Sequence, residues 1–139
     1  MAALHWWPKP AAGDIVWCHF PHLPEMEPAA KPRPALITQV FDDDAPRHRV
    51  LVAYGTSQKT QNLQAGEFLI APSLGEPYRL SGLGRDTKFN LAARVELDYQ
   101  SEWFKVPPSQ PCGQSPKLGT LHPSMMRRAQ AARDAVKKK

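Results

Sequence analysis

Arg33 leaves the backbone between two prolines in the stretch KPRPALITQV, residues 31–40. Two residues of fixed φ stiffen the chain there, and each proline biases its predecessor towards extended structure. A rigid mount suits a guanidinium that must meet a phosphate or carboxylate in one geometry, because its planar fork matches two oxygens at once. The same prolines also suit the plain end of a loop before a strand. Hydroxyl donors stand in GTSQ, residues 55–58. In extended chain Thr56 and Ser57 point to opposite faces, so only one can share a face with Arg33, and Gln58 follows Thr56. Groups able to move a proton lie nearby in sequence: Glu25 and Glu27 in a proline-rich loop, and His19 and His22, whose imidazoles titrate near neutral pH. Each also has an ordinary reading, as a solvated loop charge or a hydrogen-bonded histidine. The acidic run Asp42, Asp43 and Asp44 cannot turn three consecutive carboxylates onto one ion from a strand, and only His48 stands near it. It reads as a solvated hairpin tip, so no metal and no cofactor are expected.

The elements that must position these residues are mostly short strands. GDIVWCHF (13–20) opens on a Gly-Asp turn, with Val16, Cys18 and Phe20 facing one way and Ile15, Trp17 and His19 the other. ALITQVF (35–41), RVLVAYGTSQ (49–58) and EFLIAP (67–72) follow as strands, the first two separated by the acidic turn. LSGLGRDT (80–87) reads as a loop or short turn. FNLAARVELDY (89–99) alternates like a strand although its middle also suits a helix, and SEWFKV (101–106) reads as one more short strand. PPSQPCGQSPKLG (107–119) is irregular by its proline and glycine content. The end of the chain is different: Pro123 suits a first helical turn, and Met125, Ala129, Ala132 and Val136 make an apolar stripe, with Arg127, Arg128 and Arg133 projecting outward. The pattern predicts a mainly β chain of α+β composition: a small antiparallel β-barrel with a C-terminal helix laid against it. Residues 1–12 form an N-terminal arm, 13–139 one domain whose helix spans about 123–136, and 137–139 a basic tail.

A length of 139 residues fits one domain with a real core. Two distant cysteines, Cys18 and Cys112, exclude a disulfide framework or a cysteine zinc site and fit a reducing cytoplasm. No apolar run approaches the roughly 18 residues of a membrane span, and the start of the chain lacks the character of a signal peptide. The formal net charge of +5 points to an anionic partner, but residues 117–139 alone hold seven basic side chains against Asp134. The basic excess is therefore peripheral.

Three pieces in order, GDIVWCHFP, KPRPALIT and VLVAYGTSQ, resemble the PemK/MazF family of toxins from bacterial toxin–antitoxin pairs. KLGTLHPSMMRRAQAA is similar to that family's ending, a lysine-glycine turn running into a terminal helix. The resemblance implies an SH3-like barrel that forms a homodimer. It also implies a metal-independent endoribonuclease that cuts single-stranded RNA and is held inactive by an antitoxin protein. It puts the functional arginine at Arg33 and the functional threonine at Thr56. Glu27 falls near the family's loop glutamate, and His19 falls where the family often has an acidic residue. Lys31, Ser57, Gln58, Lys59 and Arg94 are the candidate RNA contacts around them. Past residue 60 the likeness thins: NLAARVELDY has Arg94 but lacks the family's glutamine, and the segment before the terminal helix is longer than the family needs.

RNA can be cut without a metal because its own 2′-hydroxyl attacks the adjacent phosphorus, which leaves alignment and charge stabilisation to the protein. An arginine gives a permanent charge and a fork for two phosphate oxygens, and a threonine hydroxyl adds one donor. Trp6, Trp7, Trp17, Tyr54 and Trp103 offer surfaces for unpaired bases, although core packing is the ordinary place for such residues. Two other readings keep the same barrel: a non-catalytic module that binds a protein target, and a nucleic-acid-binding barrel whose terminal helix meets phosphates.

Overall fold

The computed structural model describes residues 5–21, 27–41, 47–107 and 115–137. Its centre is a six-stranded antiparallel sheet of β1 (Asp14–Cys18), β2 (Arg33–Phe41), β3 (Arg49–Thr56), β4 (Glu67–Ile70), β5 (Thr87–Asp98) and β6 (Lys117–Thr120). The spatial order is β4-β5-β3-β2-β1-β6, and the sheet curls into a half-barrel. Two helices accompany it, α1 (Glu76–Ser81) and the C-terminal α2 (Met126–Lys137).

Apolar side chains cover both faces of the central strands, which is why β1 to β3 read as near-continuous apolar runs. Ile15, Leu36 and Ala53 sit opposite one another across β1, β2 and β3. They pack with Phe68, Ile70, Phe89 and Leu91 beneath Leu121, Met125 and Ala132. On the other face Val16, Cys18, Ala35, Ile37, Val50 and Val52 pack against Tyr99 and Phe104, with Trp7, Phe20 and Trp103 at the margin. The alternation expected of GDIVWCHF is therefore the one found. The strand opens as expected too: Gly13 has φ +97°, the Asp14 N–H donates to the Ala11 carbonyl, and the Asp14 carboxylate accepts from the Ala11 N–H at 3.0 Å.

Bulges curl the sheet. The β2–β3 register slips between Ile37 and Gln39, and the β3–β5 register slips where Ala53 pairs with Arg94 but Tyr54 with Asn90. Extra residues on one strand bend it and raise its twist. The second bulge also explains why FNLAARVELDY alternates imperfectly although it is strand throughout.

Several expectations need correction. SEWFKV is not a strand. The Gln100 carbonyl accepts N–H groups from both Trp103 and Phe104, which winds the segment into a turn, and only Phe104 bridges to β1. The segment read as a loop from Leu80 begins inside α1. Pro77 lies in the first turn of that helix, and Gly82 closes it in the left-handed conformation at φ +71°. The irregular stretch before the terminal helix contains β6, so the lysine-glycine pair lies in a strand rather than a turn. The terminal helix starts with a single 3₁₀ turn, Pro123–Met125, before α2. Its stripe is as expected, with Met125 and Ala132 buried and Ala129 against the same cluster. Arg127 and Arg128 are exposed, but Arg133 is half-buried where it lines a groove between α2 and the sheet, its Nη2 donating to Gln130 Oε1 at 3.3 Å. Among the described residues no helix is long and apolar enough to cross a membrane.

The described part of the N-terminal arm is fixed to the sheet. Trp6 bridges Gln100, the Trp7 N–H donates to the Tyr99 carbonyl, and the Trp7 indole donates to the Phe104 carbonyl at 3.2 Å. The tryptophan pair thus closes the second core face.

Candidate active site

β2 begins at Arg33, immediately after Pro32, and pairs with β3 in the register Ala35 to Tyr54. Continued two residues, that register puts Arg33 across from Thr56. The close approach at the intervening pair needs Gly55, since a Cβ there would lie 2.4 Å from the Pro34 carbonyl oxygen. Beside this end of the hairpin lies a cleft of about 380 Å³. Trp17 on β1, Arg33 and Pro34 on β2 and Ser57 just past β3 line it on one side, while Leu83 and Arg85 in the loop after α1 and Thr87 at the start of β5 line it on the other. Both arginines are exposed and neither forms an ion pair with a described residue. Among the described residues no carboxylate lines the cleft. Two uncompensated guanidiniums around a half-buried indole make a place for an anion that carries a flat ring system.

Thr56 is half-buried at the end of β3, where its Oγ1 accepts the Gln58 N–H at 3.1 Å. That local turn aims the hydroxyl while leaving its own proton to be donated. Ser57, Gln58 and Lys59 are exposed in the turn, and Lys59 adopts φ +52°. Lys31 is exposed just before β2. The His19 ring is half-buried and held through Nδ1, which donates to the Ala29 carbonyl at 2.6 Å and leaves Nε2 as the atom able to take a proton. Glu27 is exposed and has no hydrogen bond to Arg33. Arg94 lies elsewhere, on a second groove beside α2. His22, Glu25 and Asp42 to Asp44 fall outside the described residues. The structure therefore brings Arg33 and Ser57 to the cleft and adds Arg85 and Thr87, which sequence reasoning missed, while Thr56 lies across from Arg33 by register but does not line the cleft. The run GLGRDT held the only signal for them, a basic residue among glycines, and it was read as a connection.

A buried ion pair fixes the loop that carries Ser57 to Lys59. Lys88 pairs with Thr56 across β3 and β5, and its Nζ lies 3.0 Å from Glu67 Oε1 and 3.1 Å from the Asn62 carbonyl. The same Glu67 oxygen accepts the Gln64 N–H at 2.6 Å, and both charged side chains are less than a tenth exposed. Lys88→Ala should cost about 3 kcal/mol in urea unfolding, because it leaves Glu67 buried without its counter-ion. Replacing both partners, Lys88→Met with Glu67→Leu, should cost much less. Equal losses in the two variants would mean that the charges do not anchor the loop.

Among the described residues no three histidine, cysteine, aspartate or glutamate side chains come together to hold a metal. Cys18 is fully buried, which pushes its thiol far above the ordinary range and keeps it from acting as a thiolate nucleophile. No protein-family model matches the chain, nor does any curated protein.

Proposed function

We propose that the chain is a metal-independent endoribonuclease of the PemK/MazF toxin type, built on an SH3-like barrel and acting on single-stranded RNA. The observation that carries this reading is the β2–β3 register, which continued two residues puts Arg33 across from Thr56, with Arg33 and Arg85 lining a cleft that no carboxylate of the described residues enters. In this reading the scissile phosphate rests on the Arg33 fork, and Thr56 donates its hydroxyl proton to a non-bridging oxygen. The RNA 2′-oxygen attacks phosphorus, the bond to the 5′-oxygen breaks, and that oxygen leaves as a hydroxyl after taking a proton. The products are a 2′,3′-cyclic phosphate and a 5′-hydroxyl end. His19, through Nε2, and Glu27 are the candidate proton carriers. Lys31, Ser57, Gln58 and Lys59 flank the path of the strand, and Trp17 offers a face for a base. The resemblance to the toxin family extends the proposal to a homodimer in the cytoplasm, restrained by a cognate antitoxin protein.

The test is incubation of the purified protein with a mixed-sequence single-stranded RNA in excess EDTA, with the new ends mapped. Discrete cuts that leave cyclic phosphates are expected. Intact RNA after long incubation with folded protein would sink the nuclease reading and favour a barrel that binds without cutting.

A further inference from the structure

The second groove lies between the sheet and α2, on the face of β2 that carries Leu36, and has a volume of about 250 Å³. Its floor is apolar, built from Leu36, Leu91, Leu121 and Ala129, with Met126 nearly half exposed at its mouth. The β2–β3 and β3–β5 bulges open onto it, through Thr38 and Gln39 on β2 and through Leu91 and Arg94 on β5. Bulges of this kind re-aim side chains and recur beside sites.

Its charge is one-sided. Arg94 and Arg133 both line the groove, and among the described residues no carboxylate does. Asp134, the nearest acid on α2, is taken up by the Gln130 amide at 3.1 Å. Arg133 reaches Gln130 Oε1 through Nη2, but its Nε is shut off from solvent and has no acceptor. The volume is below the about 300–1,000 Å³ of sites for larger ligands, so a compact occupant fits.

From this juxtaposition we propose that the groove between α2 and the bulged strands binds a small monocarboxylate with an apolar body, its carboxylate on Arg94 and Arg133 and its hydrocarbon on Leu36, Leu91 and Leu121. The apolar floor excludes a doubly charged phosphate as the best fit, since such an anion would leave the floor unused and lose its own hydration. A carboxylate pairs with the two guanidiniums that line the groove, while its alkyl or aryl portion covers the floor. The site is separate from the cleft at Arg33 and does not depend on the chain being a nuclease.

The experiment is a titration of ¹⁵N-labelled protein with octanoate and with 3-phenylpropionate, following the arginine Nε–H resonances. The neutral alcohols of the same carbon skeleton serve as controls. A saturable shift of the Arg133 resonance is expected at about millimolar concentration or below. The alcohols should bind at least about tenfold more weakly, as should the acids to Arg94→Gln, whose exposed side chain makes it a safe variant for folding. Arg133→Gln should do the same, and Arg33→Ala should leave the titration unchanged. No saturable shift, equal binding of the alcohols, or indifference to Arg94→Gln would overturn the proposal. So would a tighter response to a short acidic peptide or to an RNA oligonucleotide, since either would make the groove a macromolecular interface.

Discussion

On the proposed nuclease reading, Arg33→Ala is expected to lower the rate of single-stranded RNA cleavage by about 10³-fold while leaving the unfolding midpoint nearly unchanged. The second half of that expectation follows from exposure: the side chain forms no ion pair with a described residue, and its one short contact is 3.5 Å to the neighbouring Pro32 carbonyl. Little folding energy is at stake in so free a guanidinium. The first half follows from what a transferring phosphate needs, a fixed positive charge where the equatorial oxygens gain charge. Arg33→Lys separates charge from geometry. It keeps the cation but loses the planar fork, so most of the loss should persist if two oxygens are held at once. Thr56→Ala should cost about 10²-fold, and Thr56→Ser much less, because serine keeps the donor. Single-turnover rates at saturating RNA measure all four proteins. If Arg33→Ala cuts as fast as the parent, the cleft does not bind the scissile phosphate.

What could be read from the chain beforehand depended on whether a signal was local. β1, β2 and β3 were legible because burial on both faces writes long apolar runs bounded by turn residues. β5 was harder because its bulge at Leu91 to Ala93 breaks the alternation, leaving LAARVEL open to a helical reading. α1 and β6 were missed for a shared reason. Each is too short to show a period, and each is held by a partner distant in sequence rather than by its own propensity. The same limit applied to the site. Arg33 and its prolines announce themselves within four residues, and Thr56 sits at a strand end. Arg85 joins them only because the loop after α1 is carried back to the mouth of β1 and β2, and nothing in GLGRDT encodes that journey. Arg94 illustrates the reverse case, a basic residue on the expected strand that register and bulge deliver to a different groove.

The contact that brings Arg85 back includes the tightest backbone approach at any described glycine, and disturbing it should have a large effect on stability. α1 and β6 meet backbone to backbone through two glycines. A Cβ on Gly119 would lie 2.3 Å from the Leu80 carbonyl oxygen and from the Ser81 carbonyl carbon, and one on Gly82 would lie 2.0 Å from the Leu118 carbonyl oxygen. All of these neighbours are backbone, so no side-chain rotation relieves the clash. Gly119→Ala should therefore push the helix off the strand, at a cost of about 5 kcal/mol, the range reserved for a few severe mechanisms. Gly82→Ala adds a second penalty, because its φ of +71° is left-handed and costs a residue with a Cβ about 1–2 kcal/mol more. Since a domain of this size commonly holds only about 5–15 kcal/mol in all, both variants should be largely unfolded or show a much lower urea midpoint. Gly84 provides the control within the same loop: a Cβ there meets nothing within 4 Å, so Gly84→Ala should stay within about 0.5 kcal/mol of the parent. Because Gly82, Leu83, Gly84 and Leu118 also line the cleft, any folded remnant of Gly119→Ala should bind RNA more weakly than Gly84→Ala does. A Gly119→Ala protein with a parental midpoint would show that the helix and strand can part without cost. Arg85 would then have no fixed place beside Arg33, and the two-arginine cleft would lose its structural basis.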